Sequence, residues 1–321
     1  MNETLLRQKI KEFSPIAPMG QLRVLTETSE FMEIKAGDVL ELDGRFFLVR
    51  GEETEGRFGL DGEPKFWVKR AIDLDTGAQK IIKLVFHESF KMRLGELEIL
   101  CHRSPEKEAR ILEKVKGDRW FMQGSTVIDP SGNHVRIIDK IPGRSFYDFF
   151  LNLDMDHWDY FKNHFPGVFR KIIECVEAID RLHKMGELHG DIRNDHIFVQ
   201  RKTEDFIWID FDYTYEWSEN HFGVDLFGLG NVLLFTVGKG FHTMGDLTAC
   251  GPEGMEVSSC LGPEDMSLFF PHRIINLKKI FPYIPESLNT VLLFFSQGAD
   301  VFYETSEELL KDLKRCERDL S

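Results

Sequence analysis

The sequence predicts an α+β protein with a small strand-rich first part and a larger helical second part. Short apolar runs separated by turn residues fill much of residues 39–86. Beyond residue 139 apolar residues recur at helical spacing, most clearly over Val168–Met185, with Ile172, Ile173, Val176, Ile179 and Leu182 on one stripe. One strand pair interrupts that helical part: Ile197-Phe198-Val199 and Phe206-Ile207-Trp208-Ile209, joined by a polar turn. Asp191 stands six residues before the first run and Asp210 ends the second, so the hairpin holds two carboxylates on one rim.

Composition narrows the class. A chain of 321 residues holds two domains or one bilobed enzyme, and 42% hydrophobic residues is ordinary for a globular protein. A net charge of −14 disfavours nucleic acid and anionic membrane as partners. No apolar run reaches membrane-spanning length, and MNETLLRQKIKEF lacks the basic-then-apolar layout of a secretory signal. Five scattered cysteines (Cys101, Cys175, Cys250, Cys260 and Cys316) form no metal-binding spacing and fit free thiols in a reducing cytoplasm.

Taken in order, residues 3–13 read as a short amphipathic helix with Leu5, Leu6, Ile10 and Phe13 on one side. Val39–Leu42, the turn Asp43-Gly44 and Phe46–Val49 form a hairpin. Residues 51–65, with glycines at 51, 56, 59 and 62, read as a loop. FWVKRAIDLDTGAQKIIKLVF, residues 66–86, is strand, Asp-Thr-Gly turn and strand. Lys83 lies between Ile81-Ile82 and Leu84-Val85-Phe86, where a buried ammonium needs a carboxylate partner. The helix over residues 103–115 offers one: Ser104 is its N-cap, Pro105 its first residue, and Glu108 sits one turn before Ile111 and Leu112. A strand pair near Trp120–Val127 and Val135–Ile138 follows, and Pro142-Gly143 breaks it. Residues 223–238 form a buried helix near whose start Asp225 is either an N-cap or the acceptor of buried hydrogen bonds. Ser306 is the N-cap candidate of the last helix.

His189-Gly190-Asp191-Ile192-Arg193 resembles the catalytic loop of the protein-kinase-like superfamily, and Asp210-Phe211-Asp212 resembles its magnesium motif. With Lys83 and Glu108 in the matching order, the resemblance covers about residues 45–316 and is greatest to a bacterial serine/threonine protein kinase with a short activation segment. It implies a bilobed α+β fold: an N-terminal extension over 1–44, a β-rich N-lobe over 45–138, and a hinge with a helical C-lobe over 139–321. It implies ATP and Mg2+ as cofactors and a hydroxyl on a protein or a small molecule as acceptor. By the same resemblance, Lys83 held by Glu108 meets the nucleotide phosphates. Gly56, Gly59 and Val68 cover the nucleotide, and the backbone of Asp139, Lys140 and Ile141 faces the adenine. Asp191 orients the acceptor hydroxyl, Arg193 offsets transferring charge, His196 and Asp210 hold magnesium, and Asp225 braces the catalytic loop.

Four departures qualify the resemblance. His196 stands where most kinases carry a metal-binding asparagine, as is reminiscent of bacterial lipopolysaccharide-core sugar kinases. Gly190 replaces the arginine that receives an activation-loop phosphate. Only 14 residues, 211–224, separate Asp210 from Asp225, too few for a full activation segment. Phe302 occupies the place of an arginine that pairs with the missing segment's glutamate. Gly190, His196 and the short segment lean toward a small-molecule or sugar kinase. A nucleotide-binding pseudokinase scaffold is the third reading, and the joint presence of Lys83, Asp191 and Asp210 argues against it.

Overall fold

The computed structural model describes residues 2–14, 21–54 and 62–320. The chain divides into two compact units, one formed by residues 1–88 with 103–142 and the other by 89–102 with 143–321. This differs from the expected division into 1–44, 45–138 and 139–321: the N-terminal stretch is part of the first unit, and a segment from its middle belongs to the second.

The first unit opens with α1 (Glu3–Phe13), β1 (Val24–Leu25), β2 (Val39–Leu42), β3 (Arg45–Thr54), β4 (Pro64–Asp73) and β5 (Gln79–Lys83). The chain then passes into the second unit as β6 (Ser89–Leu94) and β7 (Leu97–Arg103), and returns in α2 (Pro105–Lys114), β8 (Gly124–Ile128) and β9 (His134–Asp139). Seven strands form one sheet in the order β1-β2-β3-β4-β5-β9-β8, antiparallel except for the β1–β2 pair. The turn between β2 and β3 is Asp43-Gly44, both at positive φ (51° and 73°), as a tight hairpin requires.

Strand alternation makes both faces of this sheet apolar. Phe47 and Val49 of β3 join Leu40, Ala71, Ile82, Leu84, Val135 and Ile137 on one face. Phe46 and Leu48 point the other way, to Val39, Leu74 and the buried Leu6 and Ile10 of α1. That second face is why residues 1–44 are no separate extension: without α1 it would be open to water. Leu5, expected on the buried side of α1, is exposed. Trp120–Gln123 lies outside any strand because the Asp118 carboxylate accepts from Trp120 N, and the Gln123 amide donates to the Asp118 and Phe121 carbonyls, holding a turn there.

The second unit continues with β10 (Gly143–Ser145), α3 (Phe146–Leu151), α4 (His157–Asp159) and α5 (Phe165–Lys184), a π turn linking the last two. The expected stripe of α5 is buried. After α5 come β11 (Ile197–Gln200) and β12 (Phe206–Trp208), antiparallel with Ile197 opposite Trp208 and Val199 opposite Phe206. The Trp208 indole N–H donates to the Cys175 carbonyl of α5 at 3.0 Å, fixing the hairpin to the helix that precedes it. β13 (Tyr213–Tyr215) pairs with β7 in a three-stranded sheet of order β13-β7-β6.

α6 (Gly223–Val237) is buried nearly all round, as its uniformly apolar sequence requires. α7 (Met244–Ala249), α8 (Pro252–Ser259), α9 (Glu286–Leu293) and α10 (Ser306–Asp319) complete the chain. The N-cap of α10 is Thr305, in a capping box with Glu308, rather than Ser306. Ser306 is instead buried, donating to Asp180 Oδ1 at 2.9 Å. Among the described residues no helix is long and apolar enough to cross a membrane.

Candidate functional site

In the first unit Lys83 ends β5 and lies opposite Val68 of β4, whose side chain is buried. The Lys83 side chain is 3% exposed, and its Nζ is 2.6 Å from Glu108 Oε1, a group with no exposure at all. The partner expected for this buried ammonium is therefore in place. α2 delivers it because the Ser104 hydroxyl caps the helix by accepting from Lys107 N and Pro105 opens it, which sets Glu108 in the first turn.

A second cation, not anticipated from sequence, shares the same carboxylate. Arg136 of β9 pairs with Lys83 in the sheet register and its Nε donates to Glu108 Oε2 at 3.0 Å. Its NH2 group donates to the Leu84 carbonyl at 3.2 Å, and its side chain is fully buried. Each oxygen of Glu108 thus has its own cation, which fixes the carboxylate's rotamer as well as its charge. Lys69, also fully buried, is satisfied separately by Glu52 at 3.0 Å and the Ile34 carbonyl at 2.8 Å. Burial lowers its pKa, and Glu52 opposes that shift.

The nucleotide-facing backbone expected at residues 139–141 is narrowed by the sheet. Asp139 N donates to the Gln123 carbonyl at 2.8 Å and Lys140 N to the Gln79 carbonyl at 3.4 Å. The Asp139 carboxylate is paired with Lys80. Ile141 N–H makes no hydrogen bond among the described residues, so the donor expected toward a base reduces to that residue. Gly56 and Gly59 lie outside the described residues.

In the second unit the loop between α5 and β11 is held from below. Asp225, in the first turn of α6, is fully buried. Its Oδ2 accepts from His189 N at 2.6 Å and its Oδ1 from Gly190 N at 2.8 Å, while His183 Nε2 donates to Oδ2 at 3.0 Å. Phe222 is the N-cap position of α6, so the capping alternative for Asp225 falls away. Gly190 has φ 87°, and a β-carbon there would overlap the Tyr213 carbonyl oxygen.

On and beside that loop four of the expected residues come together: Asp191, Arg193 and His196 on it, and Asp210 just after β12. The carboxylate of Asp191 is 3.8 Å from Arg193 NH1 and 3.4 Å from His196 Nδ1. His196 Nδ1–H donates to the Asp191 carbonyl at 2.8 Å, which leaves the lone pair on Nε2. Nε2 lies 3.7 Å from Asp210 Oδ2. A carboxylate oxygen and an imidazole nitrogen at that separation supply two donors toward one divalent cation, and among the described residues no group of three or more His, Cys, Asp or Glu side chains gathers for a metal. Asp210 follows β12 at φ 60°, in the left-handed region that costs a non-glycine residue about 1–2 kcal/mol.

Asp195 is the member that sequence reading missed. Arg193 Nε donates to its Oδ1 at 2.9 Å, and the guanidinium meets its other oxygen as well. Burial opposes ionisation of Asp195, but His196 and the Arg193 hydrogen bonds outweigh it and bring the group down to about 2. Burial likewise works against the Arg193 charge, and Asp191, Asp195 and Asp210 more than compensate, raising its pKa. The guanidinium is thus braced by Asp195 while still lying beside Asp191.

No protein-family model matches the chain. Two curated relatives, both named serine/threonine-protein kinase 1 and both from African swine fever virus isolates, are 22% and 27% identical over 176 residues. That match covers 54% of this chain and 53% of each relative, so the chain spans about half the length of the curated relatives it matches. A solved structure of the Cydia pomonella granulovirus kinase PK-1 aligns with a TM-score of 0.51 at 14% identity, covering 83% of this chain and 93% of that one. These relatives are viral, and the bacterial likeness expected from sequence gains no support from them.

Two outcomes follow from the two groups. Lys83→Met leaves Glu108 held by Arg136, so its melting temperature should fall little. Glu108→Ala removes the carboxylate that two buried cations share and should cost about 3–5 kcal/mol. Thermal melts of both variants check this ranking, and equal losses would contradict it. His196→Asn keeps a donor toward the Asp191 carbonyl and an oxygen for a cation, so magnesium binding measured by calorimetry should survive in that variant. His196→Leu should lose metal dependence; a leucine variant with native metal affinity refutes the donor-set reading.

Proposed function

We propose that this chain, which has the protein-kinase-like fold, is an ATP- and magnesium-dependent phosphotransferase that moves the γ-phosphoryl group to a hydroxyl, most plainly a serine or threonine hydroxyl of a protein. The observation that carries the reading is the gathering of Asp191, Arg193 and His196 on a loop whose amides are bound by a buried carboxylate, with Asp210 after β12 beside His196. Phosphoryl transfer asks the protein for positioning and charge stabilisation more than covalent chemistry. Asp191 orients the acceptor hydroxyl and receives its proton as the bond to phosphorus forms. Arg193, fixed by Asp195, offsets charge on the transferring group. Asp210 and His196 would hold a divalent metal, which supplies charge neutralisation at the phosphates, and Lys83, set by Glu108 and Arg136, would bind nucleotide phosphate.

The two viral relatives, named as serine/threonine protein kinases, support a protein acceptor. A second reading, transfer to a small molecule or sugar, is favoured by Gly190, by the 14 residues of 211–224 and by Phe302, which packs 5.5 Å from Phe227 where a charged residue would hold a peptide platform. A pseudokinase scaffold is disfavoured because the Lys83–Glu108 pair and both loop aspartates are intact. The partner is then the acceptor and not a nucleic acid or a membrane, and the free thiols fit a cytoplasmic setting.

Labelled ATP offered to the purified protein with magnesium, with casein or histone in one arm and a panel of hydroxylated small molecules in the other, decides the acceptor. Asp191→Ala should lower the transfer rate by about 10²–10⁴-fold, the range for removing a positioned base. Nucleotide affinity should stay near native. Wild-type turnover in that variant, or none in the native protein with either class of acceptor, removes the mechanism.

A further inference from the structure

The segment after Asp210 is fixed in an unusual way. Phe211, Asp212, Tyr213 and Tyr215 are each no more than 2% exposed, so the run that follows the proposed metal ligand is interior. On one side, β13 lies with its Tyr213 carbonyl against Gly190, so closely that no side chain fits at position 190. On the other, it pairs with β7 of the hairpin β6–β7. Phe90 of β6 packs edge-on to Tyr213 with ring centroids 5.3 Å apart, and Cys101 of β7 is fully buried. Burial, with the Asp191 carboxylate adding to it, pushes the Cys101 thiol up to about 11. Tyr215 accepts a hydrogen bond from Asp225 N at 3.3 Å, tying the far end of β13 to the residue that holds the loop.

The hairpin is closed at its base: Ser89 pairs with His102, Arg103 N donates to the Glu88 carbonyl at 2.9 Å, and the Arg103 guanidinium pairs with Glu88 at 3.1 Å. It is therefore a self-contained ribbon inserted between the strand of Lys83 and the helix of Glu108, with its own ladder from Ser89–His102 to Leu94–Leu97. A two-stranded ribbon alone is marginal in water, and a third strand with a buried face gives it stability. The dependence is mutual, because among the described residues three-residue β13 pairs in its sheet with β7.

We propose that the hairpin β6–β7 is a positioning element for the reaction: by strand pairing it presses β13 onto Gly190 and so holds Asp210 in its left-handed conformation beside the catalytic loop. This rests on the kinase reading. Where a loop phosphate would pair with an arginine at position 190, this chain has a glycine that lets backbone pack on backbone. Residues 211–224 are then ordered by the chain's own ribbon and need no phosphate.

Because Ser89 and His102 are adjacent across the ladder, residues 90–101 can be replaced by a Gly-Ser-Gly link without opening the base. In the full chain so altered, amides of Tyr213–Tyr215 should exchange at least tenfold faster. The transfer rate should fall at least thirtyfold, while the KM for ATP changes less than threefold. A merely stabilising ribbon would instead lower the melting temperature with no change in kcat at a temperature where the protein is folded. Phe90→Ala is the milder companion, expected to show the same kcat loss in reduced measure with KM unmoved. Phosphatase treatment of the native protein should leave its rate unchanged. Native exchange protection over 213–215 after excision overturns the proposal, as does native kcat, and so does a large phosphatase effect traced to residues 211–224. If the native chain transfers no phosphoryl group, the kinase reading fails, and the exchange measurement alone then decides whether the ribbon holds β13.

Discussion

The second unit depends on one buried carboxylate. Asp225 is withdrawn from water and receives the amides of His189 and Gly190 together with the His183 ring. Such a group is costly unless its lone pairs are filled, and hydrogen bonds to a charged partner contribute about 1.5–3 kcal/mol each. Filling them demands that two successive N–H groups point at α6, which is possible only if the loop takes a sharp turn at Gly190, φ 87°. From that turn the rest follows in sequence: Asp191 and Arg193 leave on one side, His196 donates back to the Asp191 carbonyl, and β11 begins at once.

The first unit repeats the strategy with the signs reversed. There the buried anion is Glu108, and Lys83 and Arg136 fill one oxygen each. Two cations on one carboxylate make the geometry less dependent on either. With Arg136 on the other oxygen, the carboxylate and its helix stay in place without relying on the lysine alone. In both units a candidate site residue is held through a buried charged neighbour, which is how a fold gains precision without rigid covalent links.

Much of this was legible in the chain. An ammonium inside an apolar run demanded a partner, and the cap, proline and first-turn carboxylate of the next helix pointed to Glu108. The carboxylates flanking two short strands marked the hairpin of the candidate site. What escaped was long-range. Arg136 sits in His134-Val135-Arg136-Ile137, an alternation that reads as a solvent-facing strand position, and only the sheet order β5-β9 brings it to Glu108. The hairpin β6–β7 pairs with a strand more than a hundred residues later, which no local pattern encodes. Asp195 is two residues from Arg193, but it lies in a short 3₁₀ turn over Asn194–His196, where the two-residue spacing of a strand does not apply. Thr305 with Glu308 did carry a capping-box signal, and Ser306 next to it was the wrong choice of two similar residues.

The central claim is that a buried carboxylate aligns the loop for phosphoryl transfer, and Asp225→Asn tests it most directly. The substitution keeps shape but turns one acceptor oxygen into a donor facing donors. Losing one or two charged hydrogen bonds, about 1.5–3 kcal/mol, should cost about 10–100-fold in the transfer rate. The amides of His189 and Gly190 should exchange faster, and nucleotide affinity should hold. A variant that transfers phosphate at the native rate while those amides lose their protection would contradict the claim.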